Sequence, residues 1–347
     1  MSNLAYRKER VDRGIKVRSD DIFILASLRD LSYATLPKTL AILILMIFPL
    51  LKNLVGTYWE SVLVTTIVIS LLALSWDLLA SVGLVSLGQA LFFGVGGYLT
   101  GWLSRTFALT PLMSIPLATL GGALLATLIL YPVLRLRGIY FGLITFALPL
   151  LLSRVIEATK ILGGTEGLNK IPPLPSLTTE LYLLIVVLLV CIYAYRRLIT
   201  SDYGLVLQAV RDNDRAVMAA GFDIQRLKAQ AVFLAALPAT FAGAFLTHHF
   251  QVVGMQAFAL DYSILPLTSV IVGGAGTFYG SVLGAFIMIP LSEFLREFAS
   301  LRVVIYSLLL LIFAIGLPEG IFHFIRRRYQ QFERMTALEG ESDNRGQ

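Results

Sequence analysis

Charged residues are scarce in this sequence. Of its 347 residues, 14% are charged and 57% are hydrophobic, whereas a typical soluble domain is roughly 25% charged. So low a charge density leaves too little polar surface to cover a water-soluble globule of this length. The composition therefore argues against a soluble enzyme, a nucleic-acid reader or a disordered regulator, and it predicts a membrane protein.

Cysteine and histidine are also nearly absent. The single cysteine, Cys191, excludes a disulfide within the chain, and with only three histidines no Cys/His metal cluster is expected. No Gly-Lys dipeptide occurs, so the chain lacks a phosphate-binding loop that ends in this dipeptide. We therefore predict no catalytic residue, no metal site and no cofactor in this chain. His248, His249 and His323 are predicted to be polar residues at the membrane interfaces.

Long apolar stretches are abundant instead, and a membrane-spanning helix needs about 20 mostly apolar residues. Such stretches occur at 39–57, 58–80, 84–106, 111–134, 139–158, 180–198, 229–250 and 303–322. The apolar region 262–296 is broken by glycines and is predicted to form two pieces, 262–275 and 279–296. The predicted fold class is an all-α polytopic membrane protein with about ten transmembrane segments, some of them broken or re-entrant.

The basic residues indicate how these segments are oriented. With ten crossings and both termini in the cytoplasm, 21 of the 28 Lys and Arg residues fall on the cytoplasmic side, as the positive-inside rule requires. The chain is thereby divided into a cytoplasmic N-terminal extension (1–38), a transmembrane domain (39–322) and a cytoplasmic C-terminal tail (323–347). The pI of about 9.4 follows from this orientation and needs no nucleic-acid partner.

The N-terminal extension is highly charged. It carries eight Lys/Arg and five Asp/Glu and has no early apolar core, so it is not predicted to be a signal peptide. Residues 20–34 are predicted to form either an amphipathic helix on the membrane surface or a partly ordered tail.

Acidic residues at membrane depth are few. Asp77 is the best candidate to hold a coupling ion, but it lies near the cytoplasmic end of its span, a position from which a carboxylate can snorkel to water. Glu157 and Glu293 each have an arginine nearby, Arg154 and Arg296. Ion coupling therefore has little support, and energy supplied by a partner is favoured.

Glycine clusters interrupt two of the apolar regions, within residues 83–98 and 273–284. Two such segments in the two halves of a chain are typical of a translocation path, although small residues also serve plain helix packing. The predicted path-lining residues are Gly88, Gln89, Gly94, Gly273, Gly274 and Gly276.

The polar loop 199–228 has a helical pattern of its own. Asp212 or Asn213 is placed to cap a short helix that runs to Ala220, and Gly221 suits the end of that helix. The loop is predicted to be either a docking element for a partner or a connector that lies on the membrane surface.

Short motifs with a defined order and spacing run through the whole apolar region. They are GLVSLGQALFFG (83–94), LRGIYFGLIT (136–145), GGTEGL (163–168), AVRDNDRA (209–216), GAF (243–245) and VGGAGT (272–277). Together they resemble the LivM-type permeases of bacterial ATP-binding-cassette importers for branched-chain amino acids, over about residues 40–322. Two positions depart from the family pattern: Gln89 stands where histidine is usual, and Glu166 stands where aspartate is usual. Both residues keep hydrogen-bonding capacity.

The resemblance implies a permease subunit in the bacterial cytoplasmic (inner) membrane. Its implied partners are a second, LivH-like permease subunit, two cytoplasmic ATPase subunits that hold the ATP, and an external solute-binding protein. The loop 199–228 would then be the coupling element that contacts an ATPase subunit. The implied contact residues are Arg211, Asp212, Asp214, Arg215, Ala219, Ala220 and Gly221, with Arg211 and Arg215 expected one helical turn apart.

The identity of the solute stays open at this point. Relatives of the family carry branched-chain amino acids, other small amino acids, amides or urea. An ATP-independent facilitator for small solutes, or a scaffold subunit that does not itself transport, would have the same composition as the permease.

Overall fold

The computed structural model describes residues 42–295 and, outside this range, residues 6–10, 39, 308, 311, 320–330 and 333–337. The helices are α1 (Lys52–Ser81), α2 (Gln89–Phe107), α3 (Pro111–Leu130), α4 (Ile139–Thr159), α5 (Leu177–Ile199), α6 (Asp202–Asp212), α7 (Asp214–Ala219), α8 (Ile224–Phe250), α9 (Asp261–Gly273), α10 (Tyr279–Phe294) and α11 (Gly320–Gln330). Short 3-10 segments lie at Phe48–Leu51, Tyr131–Arg135, Ile161–Glu166 and Met255–Phe258.

Six segments of the described part are long and apolar enough to cross a membrane. They are Tyr58–Ser81, Pro111–Arg135, Ile139–Thr159, Leu177–Ile199, Ile224–Phe250 and Met255–Gly273. These segments fit the predicted all-α membrane class. The observed helices begin or end within a few residues of the predicted spans, and the region 262–296 is divided into α9 and α10 as predicted. The total of ten crossings stays a prediction, because the span 303–322 and part of 39–57 lie outside the described residues.

The helix α2 begins later than its sequence suggests. The predicted span starts at residue 84, whereas α2 starts at Gln89 and residues 84–88 are not helical. Gly83 adopts a left-handed conformation with φ 82°, which ends the helical run from α1 and which glycine adopts without steric cost. The apolar run is therefore non-helical at its start and becomes helical at Gln89.

The most buried helices form the centre of the bundle. The membrane-length part of α1 is 94% buried within the chain, whereas that of α4 is 28% buried. α2 and α8 approach each other closely, because a Cβ at Gly96 would overlap the Thr240 carbonyl and a Cβ at Gly243 would overlap the Phe93 carbonyl. Lipid tails are as apolar as leucine, so close packing between small residues stabilises such helix pairs.

Contacts between helix ends define two faces of the molecule. At one face the end of α5 meets the start of α10 through Arg196 and Tyr279, with 2.6 Å between Nη1 and the hydroxyl oxygen. At the other face the start of α1 meets the end of α10, where the ring centroids of Trp59 and Phe294 lie 6.0 Å apart. We call the first the α6–α7 face, since it carries those two helices, and the second the opposite face.

Two short antiparallel strand pairs complete the described structure. β2 (Leu168–Asn169) pairs with β3 (Val252–Val253) at the opposite face, and β1 (Tyr6–Arg10) pairs with β4 (Glu333–Ala337). The predicted surface helix 20–34 lies outside the described residues.

Candidate functional site

The polar loop 199–228 forms the two short helices α6 and α7, which lie outside the membrane-length helices. The Oδ1 atom of Asn213 accepts the N–H of Ala216 at 3.2 Å and caps α7. α7 ends at Ala219, and Gly221 follows with φ 90°. The predicted second helix is thus confirmed, with Asn213 as its cap.

Buried apolar side chains attach this element to the bundle. Leu207 and Val210 of α6 and Val217 of α7 pack in one cluster with Val82, at the end of α1, and Leu227, near the start of α8. A displacement of α6 and α7 is therefore carried directly to α1 and α8 by close packing.

Hydrogen bonds strengthen the attachment. The Tyr203 hydroxyl donates to Oε1 of Gln230 at 2.7 Å, and burial raises the pKa of this phenol, so it remains a neutral donor at physiological pH. The Gln208 amide donates to the carbonyl oxygen of Ile199 at 3.0 Å. α6 is thereby tied to both α5 and α8.

The outer side of the element is open. Leu205, Met218 and Phe222 are exposed, and Ala219 and Ala220 are exposed beside them. Several exposed apolar side chains on one surface element are typical of a surface that contacts another molecule.

The charged residues of the element are divided between two helices. Arg211 lies in α6 and Arg215 lies in α7, so the expectation that they are one turn apart on a single helix is wrong. The helical run stops between them because Asn213 is extended, with φ −156° and ψ 93°. Nε of Arg211 pairs with Oδ1 of Asp212 at 3.1 Å, and Asp214 pairs with Arg137 at 2.8 Å, in the chain between α3 and α4.

A cavity of about 340 Å³ lies behind this element. Its walls come from residues 82–84, 136–138 and 210–215, together with Phe141 and Lys228. Three of the sequence motifs, far apart along the chain, therefore meet at one place. The sequence did not predict that Arg137 and Lys228 line the same cavity as the α6–α7 element. The position of Arg137 inside the motif 136–145 was the one signal that could have indicated it.

The non-helical segment 84–88 lies against α4. The N–H of Leu87 donates a hydrogen bond to Oγ1 of Thr145 at 3.0 Å. A Cβ at Gly88 would overlap the carbonyl oxygen of Thr145. Glycine at this position therefore permits backbone contact between two elements, and non-helical backbone at membrane depth is tolerated where protein surrounds it.

Gln89 begins α2 and is fully buried. Its Oε1 accepts the Ser75 hydroxyl at 2.9 Å, while its Nε2 contacts no hydrogen-bond partner within the described part of the chain. A buried donor without an acceptor costs roughly 1–3 kcal/mol. The amide group is thus available to a ligand or a water molecule.

Two adjacent residues of α1 hold the two glycine segments. The indole N–H of Trp76 donates to the Ser86 carbonyl at 2.6 Å. The Asp77 carboxylate accepts the N–H groups of Gly276 and Phe278, at 2.6 and 3.0 Å, and the Ser281 hydroxyl at 2.7 Å. The two segments predicted from their glycines are therefore both bonded to the end of α1.

Asp77 does not snorkel to water, although its position near the end of the span would allow it. Its side chain is fully buried, because the turn between α9 and α10 folds over it and supplies three donors. Arg154, which lies near Glu157 in the sequence, forms an ion pair with it at 2.6 Å.

The remaining predicted path residues contact protein on most sides. A Cβ at Gly94 would overlap the Phe258 ring, and one at Gly273 would overlap the Gly280 carbonyl. Gly274 is buried with φ 110°, whereas Gly276 is exposed and has open space beside it. These contacts give each glycine a packing or turn role in the isolated chain, and their role in a path stays a prediction.

At the opposite face, the side chain of His248 is buried within the protein, and its predicted position at a membrane interface stays a prediction. Its Nδ1 lies 2.7 Å from the Pro172 carbonyl oxygen, and because a carbonyl only accepts, Nδ1 carries a hydrogen. Its Nε2 lies 2.7 Å from the Ser114 hydroxyl and 3.4 Å from that of Thr100. His248 therefore links α8 to α2, α3 and the chain before α5.

The other two histidines also contact the protein more than expected. Nδ1 of His249 lies 2.5 Å from Oε2 of Glu180, at the start of α5, and His323 in α11 is half-buried. Glu166 is exposed at this opposite face, next to the β2–β3 pair. Within the described ranges, no group of three or more His, Cys, Asp or Glu residues is arranged to hold a metal ion.

Comparisons with known proteins agree with the motifs. Residues 58–314 match the family described as the permease component of the branched-chain amino acid transport system. The chain is 26% identical, over 276 residues, to the high-affinity branched-chain amino acid transport system permease protein LivM of Salmonella typhimurium, which covers 70% of this chain and 65% of that protein. It is 25% identical, over 275 residues, to the LivM protein of Escherichia coli, with the same two coverages of 70% and 65%.

A more distant relative gives the same family. The probable branched-chain amino acid transport permease protein LivM of Methanocaldococcus jannaschii is 25% identical over 218 residues, 56% of this chain and 63% of that protein. The chain thus spans slightly less than two thirds of the length of these curated relatives. No solved structure matches it.

Proposed function

Because this chain belongs to the family of permease components of branched-chain amino acid transport systems, we propose that it is a permease subunit of an ATP-driven importer in the bacterial inner membrane. Its substrates are branched-chain amino acids or related small amino acids, amides or urea. A second permease subunit completes the path, two ATPase subunits in the cytoplasm supply the energy, and an external solute-binding protein delivers the substrate. The chain itself is not an enzyme.

The observation that carries this proposal is the construction of the α6–α7 element. The element is packed on its inner side against α1 and α8 and is open on its outer side, where Leu205, Met218 and Phe222 are exposed. A firmly packed element with exposed apolar residues on its outer side suits a partner that binds outside the membrane and transmits its movement to the helices. The contact residues proposed for the ATPase are Arg211, Asp212, Asp214, Arg215, Ala219, Ala220 and Gly221.

The positions of the helix ends support a cytoplasmic C-terminal tail, which agrees with the proposed ten crossings and both termini in the cytoplasm. Phe294 ends α10 at the opposite face, beside Trp59. Gly320 begins α11 at the α6–α7 face, where a Cβ on Gly320 would overlap Gly274. A span over 303–322 accounts for this change of face, and the basic side chains around α6 and α7 favour a cytoplasmic α6–α7 face.

The buried start of α2 supports a path beside Gly88 and Gln89. The non-helical segment before α2 and the Nε2 of Gln89, which has no hydrogen-bond partner among the described residues, supply backbone and amide groups inside the protein. Such groups offer polarity to a zwitterionic solute without a buried charge. The turn at Gly273, Gly274 and Gly276 is the proposed second wall, since Asp77 holds it beside the end of α1.

The experiment is reconstitution of the complete transporter in vesicles, with uptake and ATP hydrolysis measured together. Arg211→Glu combined with Arg215→Glu is expected to reduce the solute taken up per ATP hydrolysed, because it reverses two charges at the proposed contact. Arg211→Lys with Arg215→Lys is the matched control that keeps both charges.

Three outcomes would contradict the proposal. Normal uptake and hydrolysis in the double-glutamate variant would remove α6 and α7 from the contact. Uptake by vesicles that lack ATP and the binding protein would indicate a facilitator. Full uptake by a transporter assembled without this chain would indicate a scaffold.

A further inference from the structure

Asp261 is an exposed acidic residue that lies within the length of the bundle and not at either end. It is the first residue of α9, and it is exposed. The ring of Tyr262 stacks on the ring of Phe93 in α2, with 3.9 Å between the centroids. The hydroxyl oxygen of Ser263 accepts the N–H of Ala90 at 3.0 Å. Asp261 therefore lies close to the first turn of α2.

The first turn of α2 is separated from both ends of the neighbouring membrane-length helix. Gln89, which begins α2, accepts the hydroxyl of Ser75 in α1 at 2.9 Å. Ser75 lies six residues before Ser81 and 17 residues after Tyr58, which are the two ends of this span. At 1.5 Å per residue these separations are about 9 Å and about 26 Å. The hydrocarbon core of a membrane is about 30 Å thick, so a group at this level lies within it wherever the chain borders lipid.

The chain that leads to this carboxylate is not α-helical. It runs along α2 from Val253, which lies beside Gly101, to Phe258, which lies against Gly94, and its 3-10 segment also contacts α4. Non-helical backbone within a membrane is tolerated where protein surrounds it or where it lines a water-filled cavity. Gln256 in this segment is exposed, so the described chain does not surround the segment completely.

Lipid is an unfavourable neighbour for this surface, because a charge in the hydrocarbon core is costly. Among the residues that the structure describes, no lysine, arginine or histidine forms an ion pair with Asp261. A water-filled path beside α9 satisfies the carboxylate and the non-helical backbone together. We propose that Asp261 faces the solute path and binds the ammonium group of an amino-acid solute. This inference rests on the proposed permease function and names the class of solute that the path selects.

The residues beside Asp261 agree with an apolar amino acid as the solute. Ser263 binds the residue that follows Gln89, so Asp261 adjoins the path proposed beside Gln89. Ile264 is 46% exposed and lies three residues further along α9, on the same side of the helix as Asp261. The carboxylate accepts charge-assisted hydrogen bonds from an ammonium group, and Ile264 offers an apolar contact to the side chain of the solute. Urea and neutral amides have no ammonium group, so these two residues favour amino acids over them.

The first measurement is ATP-dependent uptake by the complete transporter in vesicles, with leucine, alanine, acetamide and urea as solutes. We expect uptake of leucine or alanine and none of acetamide or urea. Asp261→Asn keeps the size of the side chain and removes its charge, so uptake should fall about tenfold or more, whereas Asp261→Glu should retain most of it. Glu166→Gln, which changes an exposed acid at the opposite face, is the matched control and should leave uptake unchanged.

The second measurement determines whether water reaches this surface. In the complete transporter with Cys191→Ala, the variants Asp261→Cys and Ile264→Cys are each treated with a cationic, membrane-impermeant methanethiosulfonate reagent. Both new thiols are expected to react. Val186→Cys, at an exposed position near the middle of α5, is the control and should not react, because the charged reagent does not reach a thiol that faces lipid.

The proposal is overturned if Asp261→Asn takes up amino acids at the normal rate, or if acetamide or urea is the solute carried. It is also overturned if neither thiol reacts, because Asp261 would then face lipid or another subunit. Should Asp261→Asn fail to assemble, Ile264→Cys decides: its labelling supports the path beside α9, and the absence of labelling contradicts it. ATP-dependent uptake of acetamide or urea would leave the permease function standing, whereas uptake without ATP would contradict that function itself.

Discussion

Replacing Asp77 is expected to loosen the turn between α9 and α10. The Asp77 carboxylate accepts three hydrogen bonds inside the protein, from the N–H of Gly276, the N–H of Phe278 and the hydroxyl of Ser281. Asp77 is fully buried, so water does not replace an acceptor that is removed. The choice of substitution then decides how many of these donors lose their partner.

The magnitude follows from counting donors. In Asp77→Ala both backbone N–H groups lose their acceptor, at about 1–3 kcal/mol each, which gives a loss of roughly 2–6 kcal/mol in the free energy of unfolding. In Asp77→Asn the remaining oxygen keeps the Gly276 N–H, and the Ser281 hydroxyl can turn to accept from the new amide. Only the Phe278 N–H is left unpaired, so the loss is expected to be about 1–3 kcal/mol.

Two measurements on the chain in nanodiscs check this order. Thermal unfolding should give the largest loss for Asp77→Ala, a smaller one for Asp77→Asn and none for Glu166→Gln, an exposed acid at the opposite face. Hydrogen exchange at Gly276 and Phe278 should accelerate locally, by about tenfold for each 1.4 kcal/mol. Equal stability and unchanged exchange in Asp77→Ala would refute the reasoning, because the carboxylate would then not hold the turn.

Two further substitutions test the packing at the centre of the bundle and at the opposite face. Gly243→Ala is expected to destabilise the chain by about 1–3 kcal/mol, because the new Cβ would overlap the Phe93 carbonyl. Gly254→Ala is the control and should be neutral, because a Cβ there meets open space. Similar unfolding temperatures for the two variants would contradict the α2–α8 contact. His248→Phe is expected to lower the free energy of unfolding by about 1–3 kcal/mol for each buried polar group left unpaired. His248→Gln is expected to lower it less. An equal loss of stability in both variants would indicate that the histidine ring acts only by its volume.

The α6–α7 element could be predicted well because its signals are local. Asn213 and Gly221 specify where α7 begins and ends through short-range capping and backbone conformation, and the structure confirms both positions. The position of Arg211 relative to Arg215 could not be read from their spacing. A single extended residue between them changes the direction of the chain, and helical spacing applies only within one continuous helix.

Buried polar residues were predicted less well. Asp77 and His248 each lie close to the end of an apolar run, where a polar side chain can reach water. Their donors and acceptors come from Gly276, Pro172 and Ser114, residues that are distant in sequence. Hydropathy locates the two ends of a span in the sequence, but it carries no information about which other segment of the chain covers each end.

The sequence by itself determined the class of the protein, because 57% hydrophobic residues and 14% charged residues permit few solutions other than apolar helices in a membrane. Its short motifs also determined the family. Only the tertiary structure decided what those motifs contact: the two glycine segments are bonded to Trp76 and Asp77, and three other motif segments enclose one cavity with Lys228. Periodicity and composition act over neighbouring residues, whereas such sites depend on how helices from distant parts of the chain pack together.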